Sequence, residues 1–205
     1  MTKEHFAEHF LTRFEKGFAE KMATEIQKQA LHQLLVSVLR DVIYFNPQNT
    51  AFQSEVYDYL RIKKKTEREQ IAFRSAYLFE TLYFKDKKTL LLLKNDFVEL
   101  LSMVTNESAK RHFGKILTDL LKNDMLIFSE NDHKLLAETV ALWATAPRTR
   151  VAVQIWAFEI LLLLREKAHI TNETIGYLLE ILIQDSSPAI KCRLKKWKKR
   201  GIHVY

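Results

Sequence analysis

Glycine, proline and cysteine are scarce in this 205-residue chain, which contains four, three and one of them respectively. Sheet-rich folds and nucleotide-binding α/β folds use glycine and proline at their turns and phosphate loops. The scarcity of both residues argues against these classes, whereas abundant Leu, Lys, Glu and Ala favour helix. The sequence therefore predicts an all-α protein.

The single cysteine, Cys192, excludes an intramolecular disulfide and a cysteine-based metal cluster within one chain. Residues 1–22 are rich in glutamate and lack the apolar core of a signal peptide. The longest apolar run, Val151–Leu164, is shorter than the roughly 20 residues that a membrane span requires. We therefore expect a cytoplasmic protein that does not bind a membrane.

The same apolar run predicts the most buried helix of the protein. Only Gln154 and Glu159 interrupt it. A helix that is apolar nearly all round must be covered by protein on most sides. We predict that this helix lies between neighbouring helices, with Pro147 in its first turn and Trp156 in the core.

The net charge of +7 is concentrated at the C-terminus. Residues 186–205 contain no acid, and their basic residues are Lys191, Arg193, Lys195, Lys196, Lys198, Lys199 and Arg200. Since the chain has 32 basic and 25 acidic residues, these seven account for the whole excess. The spacing of Ile190, Leu194 and Trp197 predicts a helix that docks by one stripe, as a terminal cap, and turns its lysines to solvent.

A short pattern recurs along the chain, with an alanine two positions before a basic or amide residue. Its members are Ala72/Arg74, Ala109/Arg111, Ala152/Gln154 and Ala189/Lys191, at intervals of 37, 43 and 37 residues. A period near 40 residues is typical of stacked helical pairs. With Pro147 at a helix start and the turn at 185–188, this pattern resembles the HEAT-like repeat family over about residues 66–200. The C-terminal part is similar to small bacterial HEAT-like proteins of unassigned function.

The resemblance implies an all-α fold of about ten helices, stacked as antiparallel pairs into a right-handed superhelix of the HEAT/armadillo type. We accordingly predict one repeat domain over residues 1–205. Residues 1–65 are expected to form divergent N-terminal helices, 66–185 the core repeats, and 186–205 the basic capping helix. The four phenylalanines at 6, 10, 14 and 18 predict an amphipathic first helix.

No motif indicates a catalytic, cofactor or metal site. The four glycines are isolated, so there is no phosphate-binding loop. His5 and His9 lie one turn apart but lack a third metal ligand. Cys192 is assigned a packing role, with a reactive thiol as the alternative. HEAT-like DNA glycosylases are similar in charge and helical content, but their paired aromatic and aspartate have no match here.

Two carboxylates, Glu80 and Glu159, interrupt very apolar helices. A buried carboxylate requires a partner, and Arg74 and Arg111 are the candidates. We predict structural ion pairs, with a catalytic carboxylate in a cleft as the alternative.

Basic residues cluster where short helices are expected to meet long ones, and stacking would align them in a ridge. The predicted binding residues of this ridge and of the tail are Lys63, Lys64, Lys65, Arg68, Lys110, Arg111, Arg148, Arg150, Lys195, Lys198 and Lys199. We therefore predict a non-enzymatic HEAT-like scaffold, without cofactor or metal, that binds a protein or another extended partner. The alternative is a nucleic-acid-binding protein that contacts the DNA backbone and is related to HEAT-like DNA glycosylases.

Overall fold

The computed structural model describes residues 17–28, 30–46, 48, 53–88, 93–184 and 187–199. Within these ranges the chain forms ten α-helices and no strand, so the predicted all-α class is confirmed. The chain divides into two compact units, Met1–Phe113 and Gly114–Tyr205.

The described part of the first unit contains five complete helices. They are α1 (Phe18–Lys28), α2 (His32–Tyr44), α3 (Glu55–Arg61), α4 (Lys65–Lys85) and α5 (Lys94–Met103), followed by the start of α6 (Glu107–Lys122). Helix α4 packs on α1 and α2, while α2 also contacts α3 and α5. An aromatic cluster joins three helices, because the rings of Phe79, Phe97 and Phe113 lie 5.8–6.2 Å apart between centroids. The central helix of this unit is therefore α4.

The apolar pattern of the sequence predicts a helix over Ile71–Phe84, but α4 begins six residues earlier, at Lys65. The backbone N–H of Lys64 donates to the Glu67 carboxylate at 2.7 Å and fixes the first turn. A side chain that caps a helix in this way satisfies a donor that the helix itself leaves unpaired. The helix start is therefore set by capping chemistry and not by the hydrophobic stripe.

The apolar residues at helical spacing over about Glu25–Phe45 predict a single helix, and this prediction is wrong, since two helices, α1 and α2, occupy the region. Ala30 adopts a left-handed backbone conformation, with φ of 52°, between them. Both helices pack on α4, and the break lets each bury its own apolar stripe. Tertiary packing therefore outweighs the local helical preference at Ala30. The helix predicted from Phe6 onward lies outside the described residues apart from its last position, Phe18.

The second unit contains the rest of α6 and four further helices. They are α7 (Glu130–Thr145), α8 (Val151–Leu164), α9 (Asn172–Gln184) and α10 (Pro188–Lys198). Helix α8 contacts α7, α9 and α10, and none of its residues is exposed. The prediction of a buried helix over Val151–Leu164 is confirmed, and the helix ends at Leu164 as expected.

Two details at the start of α8 correct the prediction. Pro147 is not in its first turn, because α7 ends at Thr145 and α8 begins only at Val151. The connection turns sharply at Arg148, whose φ is 65°. Proline cannot continue a preceding helix, so Pro147 acts as a stop signal for α7. Trp156 is half-buried and lies away from the deepest part of the core.

Helix α10 starts and docks as predicted. Ser187 accepts a hydrogen bond from the Ile190 backbone N–H at 3.4 Å, and Pro188 occupies the first turn. Ile190 and Trp197 are each only 1% exposed, while Leu194 is half-buried. The stripe therefore packs against the unit, where α10 contacts α8 and α9.

The four alanines of the recurring pattern do not share one environment. Ala72 and Ala109 are buried, Ala152 is half-buried, and Ala189 is exposed. Ala189 differs because α10 turns its Ile190 stripe inward, and Ala189 lies about 100° away from Ile190 around the helix, outside that stripe. The HEAT-like superhelix stays a prediction.

Candidate functional site

The predicted basic residues of the first unit divide into bound and exposed side chains. Arg68 points inward, since its guanidinium donates to the Lys63 carbonyl at 2.6 Å and lies 5.2 Å from the Phe45 ring centroid. Lys63 lies 4.5 Å above the Tyr59 ring. Arg68 therefore stabilises the connection between α3 and α4.

The remaining predicted cations of this unit also differ in exposure. The Lys110 ammonium lies 2.7 Å from Glu107, and its side chain is only 12% exposed. Lys64, Lys65 and Arg111 are exposed. Lys110 is therefore largely neutralised, and the cations presented to solvent are the other three.

In the second unit, Arg148 and Arg150 are both exposed in the connection before α8. The ridge that would join them to Lys64 and Arg111 stays a prediction.

The outer face of α10 is a surface whose charged side chains are all basic. We call it the basic tail surface and define it by the exposed residues Lys191, Lys195, Lys196, Lys198 and Lys199. Residues 187–199 contain no acid, and no ion pair to these lysines occurs among the described residues. Two of the five, Lys191 and Lys196, were not among the predicted binding residues.

A buried carboxylate anchors this surface. The Trp197 indole N–H donates to Glu159 Oε2 at 2.8 Å, and its ring lies 4.5 Å from that of Phe158 between centroids. Glu159 is 1% exposed, and its other oxygen lies 2.8 Å from the Lys122 ammonium. The predicted structural ion pair is therefore present at Glu159, with Lys122 as a partner that the sequence did not indicate.

Arg193 has a different role from the tail lysines. Its guanidinium lies 5.9 Å from the Trp156 ring centroid, and both side chains are half-buried. A cation above an indole ring is attracted by the negative face of the ring. Arg193 therefore helps to hold α10 against α8.

The second buried carboxylate, Glu80, pairs with a histidine of α6. Glu80 Oε2 lies 2.5 Å from His112 Nδ1, and the side chains are 9% and 8% exposed. The rings of Phe73 and Tyr77 lie 5.4 and 5.5 Å from the imidazole. A carboxylate on Nδ1 is the arrangement that orients a general base, but burial keeps His112 Nε2 from solvent. The pair therefore links α4 and α6 structurally, and its histidine was not predicted.

Cys192 is exposed on α10, so the predicted packing role is wrong. The helix buries the stripe of Ile190 and Trp197, and Cys192 lies on the opposite side among the lysines.

An open groove of about 220 Å³ lies between α7 and α9 in the second unit. We call it the α7–α9 groove. Its apolar lining comprises Ala137, Ala141, Leu161, Ala168, Ile170 and Leu178, and Lys134, Glu138 and Thr174 complete it. Sequence analysis missed this groove, although alanines one turn apart on an amphipathic helix are a signal for a shallow surface.

Within the described ranges, no set of three or more His, Cys, Asp or Glu side chains is arranged to hold a metal ion. His5 and His9 lie outside those ranges. None of the described helices combines the length and apolarity needed to cross a membrane.

In comparisons with known proteins, no family model, no curated protein sequence and no solved structure matches this chain. The resemblance to the HEAT-like repeat family therefore stays a prediction.

Proposed function

We propose that this protein is a non-enzymatic helical scaffold that binds an extended anionic partner, with the basic tail surface as its contact. The observation that carries the proposal is the set of five exposed lysines on a docked helix that itself contains no acid. Uncompensated charge of one sign raises the local potential and attracts a partner of the opposite sign. An acidic segment of a partner protein is the first candidate ligand.

The basic tail surface lies on a helix that is packed against the second unit. Trp197 and Ile190 hold α10 against the unit, so the lysines keep fixed positions. Lys191, Lys195 and Lys199 follow one another at four-residue intervals, which corresponds to about 6 Å along the helix. A regular row of cations matches an extended chain of carboxylates or phosphates better than a compact small molecule.

A nucleic-acid backbone is the second candidate ligand, and the composition of the surface favours it. Residues 188–198 contain no Asn, Gln, Asp or Glu, the side chains that read base edges most often with Arg and Lys. Lysines as point charges contact phosphates without sequence preference. Binding of this kind weakens steeply as salt rises.

Replacing Lys195, Lys198 and Lys199 by Gln tests the proposal. We expect affinity for a polyanion to fall at least tenfold while the free energy of unfolding changes by less than about 0.5 kcal/mol, because these side chains are exposed. Fluorescence anisotropy with labelled polyglutamate and with duplex DNA, each over a salt series, measures the affinity. With DNA, the salt slope should fall by up to about 3, one unit for each lost phosphate contact.

The matched control replaces Lys21, Lys28 and Lys88 by Gln, since these exposed lysines of the first unit give the same charge change. If the control loses as much affinity as the tail variant, binding follows net charge and the proposal is wrong. Preference for DNA over polyglutamate at equal charge would favour the nucleic-acid candidate.

The alkylation rate of the single cysteine tests ligand binding to α10 independently, without any substitution. Cys192 lies among the tail lysines, so a ligand that covers α10 should slow its alkylation. Alkylation at an unchanged rate in saturating ligand would place the binding elsewhere.

A further inference from the structure

We infer that the α7–α9 groove docks an amphipathic helix of a partner protein, apolar on the docking side and basic along its flanks. This surface is separate from the basic tail surface and does not depend on the anionic partner proposed for it. The inference depends on the shape of the groove, the exposed apolar side chains beside it and the charge of its edges.

The groove has the size and lining of a site for apolar side chains. Its volume is about 220 Å³, and an apolar cavity of roughly 150 Å³ already holds a benzene-sized molecule. Ala137, Ala141 and Ala168 keep it open, because larger residues at these positions would fill it. One or two leucine or phenylalanine side chains therefore fit.

Large apolar side chains are also exposed on the two helices that flank the groove. Leu142 on α7 is 69% exposed and Tyr177 on α9 is 64% exposed, while Leu135 on α7 is 41% exposed. Exposed large apolar side chains are a feature of interaction sites. A partner that lies along the groove contacts both flanking helices, whereas a small ligand inside the groove would contact only its lining.

The lining of α7 runs from Lys134 to Ala141, about two helical turns or roughly 10 Å. Two turns correspond to the spacing of anchor residues i, i+3, i+4 and i+7 on a partner helix. Helix-in-groove recognition uses this spacing.

The edges of the groove are acidic although the protein as a whole is basic. Glu138 lines it, and Glu173 and Glu180 are exposed on α9 on the side of Tyr177. No ion pair to these three glutamates occurs in the described part of the chain. The one lysine in the lining, Lys134, lies 2.7 Å from Glu130, and this contact lowers the pKa of Glu130. The edge therefore favours basic flanks on the partner helix.

A synthetic 16-residue helix with leucines at i, i+3, i+4 and i+7 and lysines at its other positions is the probe. One control peptide has the same composition in scrambled order, and a second carries glutamate in place of lysine. We expect the first peptide to bind at least tenfold more tightly than either control, as measured by fluorescence anisotropy. Because the protein carries a net charge of +7, attraction between net charges would favour the glutamate peptide. Tighter binding of the lysine peptide therefore cannot result from net charge.

Two protein variants locate the binding. Ala141→Phe should fill the groove and weaken the lysine peptide at least tenfold, whereas Ala189→Phe, at an exposed alanine of α10, should not. Replacing Glu138, Glu173 and Glu180 by Lys should also weaken binding of the lysine peptide at least tenfold. This variant tests the charge of the edges without changing the apolar lining of the groove. The control reversal of Glu20, Glu55 and Glu69 makes the same charge change at exposed positions of the first unit.

Equal binding of the scrambled or glutamate peptide, or unchanged affinity in both groove variants, would overturn the inference. Self-association of the protein that Ala141→Phe abolishes would also overturn it, in favour of a second copy of the chain. The lysine-to-glutamine variant of α10 should bind the peptide as the unmodified protein does. The two proposals can therefore fail separately.

Discussion

At the scale of single residues, the two buried carboxylates are satisfied in different ways. Glu159 receives an indole N–H and an ammonium, from Trp197 and Lys122. Glu80 meets the imidazole of His112 between two aromatic rings. Each contact joins side chains on different helices, because a carboxylate in an apolar helix has no suitable partner within its own turn.

The Trp197–Glu159 contact gives a graded prediction about stability. Trp197→Ala should cost roughly 3–5 kcal/mol, because removing a fully buried indole leaves a cavity and takes away the N–H that donates to Glu159. Trp197→Phe keeps an aromatic ring against Phe158 and removes only the N–H donor, so it should cost about 1–3 kcal/mol. Denaturant melts of the variants measure both values.

Trp156→Ala is the matched control for this series, because the Trp156 ring is only half-buried. It should cost less than Trp197→Ala. If Trp156→Ala lowers the free energy of unfolding as much as Trp197→Ala does, the burial of the two tryptophans does not explain their contributions to stability.

At the scale of helices, replacing two helical glycines by alanine should have opposite effects on the stability of the protein. A Cβ atom on Gly114 of α6 would lie 3.0 Å from the Trp156 Cβ of α8, whereas one on Gly176 of α9 would meet no atom within 4 Å. Gly176→Ala should therefore stabilise the protein by up to about 1 kcal/mol, through helix propensity alone. Gly114→Ala should cost about 1–3 kcal/mol, because the overpacking exceeds that gain. Thermal melts of both variants decide the matter, and stabilisation by Gly114→Ala would show that α6 and α8 can separate freely.

A hydrogen-bonded cluster joins α2 to α5, and it predicts that the stability of the protein depends on pH in the alkaline range. The Tyr44 hydroxyl donates to Glu99 at 2.8 Å, and Arg40 contacts both Glu99 and Asp96. Partial burial, and then the bond to Glu99, raises the pKa of Tyr44 from 10.0 to about 12. Between these values the unfolded chain has lost the tyrosine proton while the folded chain keeps it. This contribution to stability is therefore complete below pH 10 and is lost as pH rises to 12.

Tyr44→Phe measures that contribution. The variant should be less stable than the unmodified protein at pH 8, and the difference should shrink as pH rises from 10 to 12. Tyr177→Phe, at a tyrosine that is 64% exposed, should show almost no difference at either pH. Urea melts across this range test the expectation, which a constant Tyr44→Phe difference up to pH 12 would contradict.

At the scale of the whole molecule, charge is distributed unevenly. The tail supplies the entire excess of basic over acidic residues, and the described surface of the second unit presents cations on α10 and carboxylates at the α7–α9 groove. A protein with two oppositely charged surfaces can select two chemically different partners. This division is the physical basis of the proposal that the chain is a binding protein.

Much of the helical architecture could be predicted from the sequence because it depends on local chemistry. The continuous apolar run located the body and the end of α8, and Ser187 with Pro188 located the start of α10. The spacing of Ile190 and Trp197 predicted the buried side of the tail. These features follow from neighbours within one or two turns, so a linear pattern suffices.

The sequence by itself therefore determined the all-α class, most helices and the concentration of charge on the tail. Only the tertiary structure decided the break at Ala30, the partners of Glu80 and Glu159, the exposure of Cys192 and the presence of the α7–α9 groove. The partners Glu159 and Trp197 are 38 residues apart in the chain, and Glu80 and His112 are 32 apart. Such pairings depend on how helices pack against one another, and helical periodicity specifies which side of a helix is buried without specifying what covers it.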